Sequence, residues 1–272
     1  MEQAAPRKGA HRIELIPPEV LDALNEGLIP TANLNEFLAL DVARFAANVA
    51  RHIGVDPRHE RLADTLAMMG AFSKVKRHEH VARAFYDIVE TRADRDAVAH
   101  ALATHPSDIA RSWAAQWVMF ARMPLARKLG ALRRFAADSH FGVREMAWMA
   151  VRDEVAGDVE AAVALLMPWV FDEDANVRRF ACELTRPRGV WCAQIGELKR
   201  EPWRALPLIE PLRSDPSRYV QNSVANWLND ASKTQPEWVE KVCSRWERGS
   251  RTPETRYIVR RARRSLVNLN AS

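Results

Sequence analysis

A short motif recurs along the second two thirds of the chain, and it restricts the folds that the chain can adopt. Residues 108–115 read D-I-A-R-S-W-A-A, residues 140–147 read H-F-G-V-R-E-M-A, and residues 174–181 read D-A-N-V-R-R-F-A. Residues 218–225 read R-Y-V-Q-N-S-V-A, and a weaker copy begins at residue 254. Apolar segments with helical periodicity precede the later copies, at residues 125–135, 159–170, 205–212 and 238–246. The pattern therefore predicts pairs of helices in which the motif opens the second helix.

These helix pairs repeat at an irregular period, since 34 residues separate Val143 from Val177 and 43 separate Val177 from Val220. Pairs of this kind resemble HEAT repeats, in which each pair buries one face only by stacking on its neighbours. We therefore predict an all-α fold, an α-solenoid of HEAT-like helical repeats with a concave basic groove. The array is expected to be a single body over residues 17–272, with its clearest repeats at 95–267, after a flexible basic tail at residues 1–16.

Charge and cysteine content narrow the function classes. The chain has 40 basic and 35 acidic residues, and this net charge of +5 permits a polyanionic partner without requiring one. Its three cysteines lack C-x-x-C spacing, which favours a reducing cytosol over a disulfide framework or a zinc site. No apolar run is long enough for a membrane span, and the first residues lack the apolar core of a signal peptide. We expect a cytoplasmic monomer that uses no metal and no cofactor.

Two histidines, His78 and His80, stand in the run K-R-H-E-H. Their spacing of two residues does not place two ligands on the same face of a helix. A solvated polar turn is therefore favoured over a metal site at this position.

Residues 214–233 predict one helix, with Asp215 as its N-cap and Pro216 at its first position. An apolar stripe that recurs every four residues is expected to be buried: Val220, Val224 and Leu228. On a different face, the same spacing brings together short polar groups that end in a carboxylate: Asn222, Asn226 and Asp230. Groups of this kind are typical of a surface that holds something polar.

Two further segments combine charged and aromatic residues. Glu145 and Trp148 lie one helical turn apart, and because a carboxylate and an indole both stabilise positive charge, they form a candidate cation site. The alternative is a surface glutamate that pairs with a nearby arginine beside a half-buried tryptophan. Residues 178–188 contain the arginine pairs R-R and R-P-R, which suit successive phosphates. One arginine per repeat is instead expected to bond back to the array, but this does not account for R-P-R.

Three of these segments resemble AlkC-type DNA glycosylases, which with AlkD form a superfamily of HEAT-like bacterial alkylpurine DNA glycosylases. Residues 223–233, S-V-A-N-W-L-N-D-A-S-K, are similar to the family signature S-V-A-N-x-L-N-D-x-S-K. Residues 183–191 resemble its E-G-x-R-P-R-L-P-W segment, and residues 141–145 resemble its F-x-V-R-E segment. The chain departs from the family at Leu184, where the family has glycine, and at Gly189 and Val190, where it has Leu-Pro.

The resemblance implies a DNA glycosylase that excises cationic alkylated bases from duplex DNA, notably 3-methyladenine, with 3-methylcytosine and 7-alkylguanine as further candidates. Such a base is already a good leaving group, so the enzyme of base excision repair hydrolyses the N-glycosidic bond by stabilising an oxocarbenium-like sugar and positioning a water. The matched catalytic residues are Glu145, Asp230 and Trp191, and the sequence does not rank the two acids. The family is also known to act without a deep base-flipping pocket.

The resemblance also implies a set of residues that contact double-stranded DNA. The candidates are Arg144, Trp148, Arg178, Arg179, Arg186, Arg188, Asn222, Ser223, Asn226, Lys233, Arg260, Arg263 and Arg264. Asn226 is as well explained as a structural bridge between helix ends. The alternative functions are a non-catalytic HEAT scaffold that binds DNA and an adaptor that binds proteins. Two acids within an otherwise cationic groove favour the enzyme, because they weaken phosphate binding and a scaffold does not need them.

Overall fold

The computed structural model describes residues 7–189 and 192–266. These residues form α-helices that are joined by turns and short 3-10 helices, and they contain no strand. The predicted all-α fold is therefore confirmed, whereas the concave basic groove stays a prediction. The α-helices are α1 Pro18–Asn25, α2 Leu34–Ala39, α3 Val42–His52, α4 Glu60–Ala67, α5 Lys74–Val89, α6 Arg95–Ala103, α7 Asp108–Phe120, α8 Leu125–Ala136, α9 Phe141–Met149, α10 Arg152–Gly157, α11 Val159–Leu166, α12 Ala175–Leu184, α13 Gly196–Arg200, α14 Leu206–Ile209, α15 Arg218–Ser232, α16 Pro236–Gly249 and α17 Pro253–Ala262.

The chain divides into two compact units. The first consists of Met1–Arg122 with Ser139–Ala147, and the second consists of Met123–Asp138 with Trp148–Ser272. The prediction of a single array over residues 17–272 stays a prediction.

The repeat motif opens the second helix of each pair, as its sequence predicts. Its five copies begin α7, α9, α12, α15 and α17. In the second unit, α12 packs against α15, and α15 packs against α17. The first helices of these pairs are α11, continued by the 3-10 helix Met167–Phe171, then α14, continued by the 3-10 helix Glu210–Ser214, and α16.

One position of the motif is structural in every copy. Its side chain donates to a backbone carbonyl five or six residues earlier in the chain, in the turn that precedes the helix. In four copies the donor is Nη1 of an arginine. Arg111 donates to the carbonyls of His105 and Pro106 at 2.8 Å each, and Arg144 donates to that of Ser139 at 2.9 Å. Arg178 donates to the carbonyls of Asp172 at 2.8 Å and Glu173 at 2.9 Å, and Arg256 donates to that of Arg251 at 3.1 Å. In the fourth copy, Gln221 replaces the arginine and its Nε2 donates to the Asp215 carbonyl at 2.8 Å. The expectation of one back-bonded arginine per repeat is therefore confirmed in four copies.

Helix α15 begins later than the sequence predicts. Its N-cap is Ser217, and Arg218 is the first helical residue. Asp215 does not cap the helix, because its carboxylate accepts from the Ser217 backbone N–H at 2.8 Å and from the Arg178 guanidinium of the previous repeat. The predicted apolar stripe is confirmed, since all three of its side chains are fully buried: Val220, Val224 and Leu228.

Part of the predicted tail is held against the first unit. Arg7 donates to the carboxylate of Glu36 at 2.6 and 2.7 Å, and only 1% of the Glu36 side chain is exposed. Asn33 donates its side-chain amide to the Ala10 carbonyl at 2.8 Å. A buried carboxylate needs a cationic partner, and Arg7 supplies it here. Residues 7–16 therefore pack as part of this unit rather than as a loose tail.

The prediction of a solvated turn at His78 and His80 is wrong, because both residues lie inside α5. His78 is buried, with its ring centroid 4.7 Å from that of Phe37 and 6.0 Å from that of Trp113. The His80 ring stacks on Phe72 at 3.8 Å. Aromatic rings from other elements cover these histidines, which a local reading of K-R-H-E-H cannot detect.

We expect the folded protein to lose stability in mild acid. Burial lowers the pKa of His78 from its ordinary value of 6.5 to about 4, and burial followed by the charge of nearby His52 does the same for His105. In the unfolded chain these rings become protonated near pH 6.5. Their contribution to the free energy of unfolding is therefore complete above pH 6.5 and is lost as the pH falls from 6.5 to 4. The contribution of the fully buried His78 amounts to about 3 kcal/mol.

Urea unfolding of the wild type and of His78→Leu at pH 7.5 and pH 4.5 measures this effect. The variant should lose less stability between the two pH values than the wild type. His80→Leu, on the same helix, is the control and should keep the wild-type pH dependence. Equal pH dependence in all three proteins would contradict the assignment to His78.

Candidate active site

Asp230 lies near the end of α15 and is held by cationic groups. Its Oδ2 accepts from Arg186 Nε at 2.9 Å and from Arg186 Nη2 at 2.7 Å. The Lys233 ammonium, one turn further along the helix, lies 3.5 Å from Oδ1. Only 6% of the Asp230 side chain is exposed. Both hydrogen bonds from this guanidinium end on Oδ2 and fix the position of that oxygen.

Arg186 also binds a second carboxylate. Its Nη1 donates to Glu183 Oε2 at 3.0 Å, while Glu183 Oε1 accepts from the Ser223 hydroxyl at 2.7 Å and lies 3.4 Å from Arg179 Nη2. Burial by itself lowers the pKa of Arg186, but the two carboxylates outweigh burial and hold this pKa above its ordinary value. We call this set of residues the Asp230 cluster: Arg179, Glu183, Arg186, Ser223, Asp230 and Lys233.

The segment that supports Arg186 is the C-terminal end of α12, whose last carbonyls lack partners within the helix. Arg152 supplies these partners. Its Nη1 donates to the Leu184 carbonyl at 2.8 Å and its Nη2 to the Arg186 carbonyl at 2.7 Å. The Trp227 indole of α15 donates to the Thr185 carbonyl at 3.0 Å. Arg152 is buried, with 1% of its surface exposed, and burial lowers its pKa.

A further segment follows, and it includes Gly189, one of the departures from the family pattern. The Ile195 N–H donates to the Pro187 carbonyl at 3.1 Å, and Arg152 Nε donates to the Ala193 carbonyl at 3.0 Å, so the two ends of this segment are tied together. A side chain at Gly189 does not fit, because its Cβ would lie 2.2 Å from Cys192 Sγ and 2.8 Å from the Cys192 carbonyl oxygen. Trp191, the third predicted catalytic residue, lies outside the described residues.

The remaining polar face of α15 bonds to α17 and to the residues that follow it. Asn222 Oδ1 accepts from the Tyr257 hydroxyl at 2.7 Å. Asn226 Oδ1 accepts from Arg264 Nη2 at 3.0 Å, which fits the structural bridge that was the alternative for this residue. Guanidinium groups surround the Tyr257 ring, with Arg218 at 3.6 Å, Arg261 at 5.6 Å and Arg260 at 5.8 Å from its centroid. These residues give α15 and α17 a shared basic and aromatic surface.

Carboxylates of the chain bind several of the predicted DNA contacts, among them Ser223, Arg178 and Arg263. Ser223 is buried, and its hydroxyl donates to Glu183. Arg178 forms a bidentate pair with Asp215, at 2.7 and 3.0 Å, in addition to its backbone bonds. Arg263 binds Glu240 at 2.6 Å and Glu247 at 2.8 Å. In each of these three residues, the side-chain donor is bound by a carboxylate of the chain itself.

Other predicted residues have different surroundings. Glu145 is half-buried on α9 in the first unit, and its catalytic role together with Asp230 and Trp191 stays a prediction. Trp148 is buried in the second unit, with the Arg152 guanidinium 5.8 Å from its ring. Arg179 lies 4.2 Å above the Tyr219 ring. Arg188 is half-buried, and its Nε has no hydrogen-bond partner in the part of the chain that the structure describes.

Three residues that organise this region are not predicted from the sequence: Arg152, Glu183 and Tyr257. Glu183 had a local signal, because it lies four residues after Arg179 and three before Arg186, which are ion-pair spacings on a helix. Arg152 and Tyr257 had no such signal, since their partners lie 32 to 41 and 35 residues away in the chain. Among the described residues, no group of three or more histidine, cysteine, aspartate or glutamate side chains could hold a metal ion. The same part of the chain contains no helix that is long and apolar enough to cross a membrane.

The described helices have the fold of helical-repeat proteins such as AlkC and AlkD2. The structure superimposes on the Pseudomonas fluorescens alkylpurine DNA glycosylase AlkC, bound to DNA containing an abasic site analog, with a TM-score of 0.69 and 25% identity. The match covers 91% of this chain and 64% of the AlkC chain. AlkD2 from Streptococcus mutans matches with a TM-score of 0.57 and 20% identity, over 75% of this chain and 98% of AlkD2, which shows the fold alone.

Sequence comparison points to the same group of proteins. Residues 143–266 match the DNA alkylation repair enzyme family. The uncharacterized protein YhaZ of Bacillus subtilis is 42% identical over 118 residues, which make up 43% of this chain but 32% of YhaZ. The chain thus spans about a third of that relative and 64% of AlkC. The resemblance of the chain to AlkC-type alkylpurine DNA glycosylases is confirmed.

Proposed function

We propose that this protein is a DNA glycosylase that acts as a monomer on duplex DNA and hydrolyses the N-glycosidic bond of cationic alkylated bases. The proposed substrates are 3-methyladenine, 3-methylcytosine and 7-alkylguanine. The observation that carries the proposal is the buried Asp230 carboxylate, oriented by Arg186, within the segment that matches the DNA alkylation repair enzyme family. The similarity to AlkC, solved with DNA that contains an abasic site analog, supports it.

The chemistry follows from the charge on the substrate. An alkylated base that already carries positive charge leaves with the electron pair of the glycosidic bond and needs no proton from the protein. Positive charge then develops on the sugar, and a fixed carboxylate stabilises it more effectively than mobile water does. Water adds to the sugar carbon and releases a proton, which leaves an abasic site. Asp230 is the proposed stabilising acid, and Glu145 remains the second candidate.

Incubation of the protein with duplex DNA that has been methylated at purines and cytosines tests this function. Released bases are identified by mass spectrometry, and DNA methylated in the same way but kept without protein gives the spontaneous release. Release of 3-methyladenine or 3-methylcytosine above that background is the expected result. Salt-sensitive DNA binding without any release would instead favour a non-catalytic DNA-binding scaffold.

We expect DNA binding to weaken steeply with salt, and we expect Arg260 to contribute to that dependence. Arg260 is exposed beside Tyr257, whereas Arg263 binds Glu240 and Glu247. Each phosphate contact adds roughly 0.9 to the slope of log K against log salt concentration. Arg260→Ala should therefore reduce the magnitude of this slope by roughly 0.9, the value for one phosphate contact.

Fluorescence anisotropy with labelled duplex, between low and physiological salt, measures these slopes. Arg263→Ala removes the same charge and is the matched control, and it should leave the slope at the wild-type value. A flat salt response of the wild type would contradict phosphate binding. Equal slopes for Arg260→Ala and the wild type would exclude Arg260 from the contact.

A further inference from the structure

Glu183 and Asp230 share a single guanidinium, and only one of these acids is in the proposed chemistry. Arg186 places Nε and Nη2 on Asp230 and Nη1 on Glu183. An arginine with one carboxylate partner can rotate about its last side-chain bonds. A second carboxylate on the remaining edge removes that freedom, so the guanidinium keeps one orientation.

Glu183 is itself fixed on both sides. It lies on α12, and its Oε1 accepts from Ser223 on α15 at 2.7 Å. Ser223 and Asp230 are separated by seven residues, or two turns, and therefore share a face of α15. The hydrogen bonds thus run from Ser223 to Glu183, to Arg186 and back to Asp230. This closed path links the two helices.

Stability alone does not account for the second acid. Transferring a carboxylate out of water is costly, and ion pairs seldom repay that cost in full. Glu183 is 4% exposed. Asp230 and Arg186 already balance each other's charge, so charge balance does not require a second acid. Arg179 and Ser223 both contact Glu183 rather than Asp230. The arrangement fits a role in which geometry at Asp230 matters more than the free energy of folding.

We propose that Glu183 is a positioning residue that acts through Arg186 on the carboxylate of Asp230, an inference that rests on the proposed function. It fixes the guanidinium, and the guanidinium fixes the carboxylate that faces the developing sugar cation. It also divides the positive charge of Arg186 between two acids, so that Asp230 keeps more of its negative field. Glu183 is buried and fully engaged with protein donors, so it does not touch the DNA.

Glu183→Gln tests the proposal because it keeps the shape of the side chain and removes its charge. Without the second carboxylate, the Arg186 guanidinium can rotate, so Asp230 loses its fixed position, and the undivided positive charge of Arg186 weakens its negative field. We expect the single-turnover rate of base release to fall by about ten- to a hundredfold. The affinity for DNA that contains an abasic-site analogue should be equal or tighter, because a negative charge has been removed.

Two further variants separate positioning from general structural damage. Glu210→Gln also removes a carboxylate that binds an arginine, Arg245, outside the Asp230 cluster, and it should release base at the wild-type rate. Ser223→Ala keeps every charge of the cluster and should lower the rate in the same direction but less. The double variant Glu183→Gln with Arg186→Lys should be no slower than its slower single variant, because both changes break the same path.

An NMR measurement provides a readout that does not need activity. In the wild type, the Arg186 Nε–H is donated to Asp230 Oδ2 and should exchange slowly with water. In Glu183→Gln, we expect it to exchange faster. Unchanged exchange and an unchanged rate of release would overturn the proposal. A fall in rate with an equal loss of DNA affinity and of thermal stability would show a merely structural role and would also overturn it.

Absence of base release by the wild type would overturn the proposed function and not this link. In that outcome, the exchange rate of the Arg186 Nε–H still decides whether Glu183 holds the guanidinium on Asp230. Faster exchange in Glu183→Gln would support the link, and unchanged exchange would exclude it.

Discussion

Asp230→Asn is expected to abolish base release and to leave DNA binding equal or tighter. The change keeps the size of the side chain but removes the negative charge that stabilises the sugar cation. Loss of one preorganised electrostatic group of this kind costs about 10²–10³ in rate, and a full carboxylate should cost at least that much. Because the surrounding side chains are cationic, removing the negative charge favours the binding of phosphates.

Asp215→Asn is the matched control for this experiment. Asp215 is also a buried acid of the same repeat, and Arg178 binds it through two hydrogen bonds. If the role of Asp230 is specific, Asp215→Asn should lower thermal stability but release base at a rate close to that of the wild type. Single-turnover kinetics with methylated duplex and a thermal melt of each variant provide the comparison. Wild-type release by Asp230→Asn would remove this acid from the mechanism and leave Glu145 as the candidate.

Arg152→Met is expected to destabilise the protein more than any other single change proposed. The variant keeps an unbranched stem beside Trp148 but removes the donors to three carbonyls, at Leu184, Arg186 and Ala193. A buried carbonyl without a partner costs about 1–3 kcal/mol, so the total loss should be about 4 kcal/mol. Destabilisation of that size is unusual for a point mutation, and it would mark Arg152 as the central support of this segment.

Urea unfolding of Arg152→Met measures the loss directly. Arg152→Lys retains a charge but cannot reach three carbonyls at once, and it should fall between the wild type and Met. Arg204→Met is the control, since Arg204 is exposed and pairs with Glu197 and Glu201 at the surface, where little change is expected. A loss below about 1 kcal/mol would show that the carbonyls find other partners when Arg152 is removed.

The helices of the repeats were predictable because their signal is local. Apolar residues at helical spacing and a recurring motif identify each pair, and both lie within one short stretch of chain. The start of α15 was misplaced by a few residues because Asp215, a good N-cap in isolation, binds Arg178 from the preceding repeat. Arg178 has this long-range partner as well, and its contact with DNA stays a prediction.

The candidate site was only partly predictable. Asp230 stood out because a carboxylate ends a row of amides on one helix face, and the family signature includes that row. The partner that orients it is Arg186, 44 residues earlier in the chain. Glu183 and Ser223 are 40 residues apart, and nothing in the spacing of either residue indicates that they meet.

The sequence by itself determined the all-helical repeat fold, the buried stripe of α15 and the resemblance to AlkC-type glycosylases, because these depend on periodicity and on contiguous motifs. Only the tertiary structure decided which arginines bind acids of the chain, that Arg152 holds the end of α12, and that Glu183 and Asp230 share Arg186. These contacts join residues from different repeats. A charged side chain binds whichever opposite charge packing brings within a few ångströms, and one-dimensional spacing does not encode that distance.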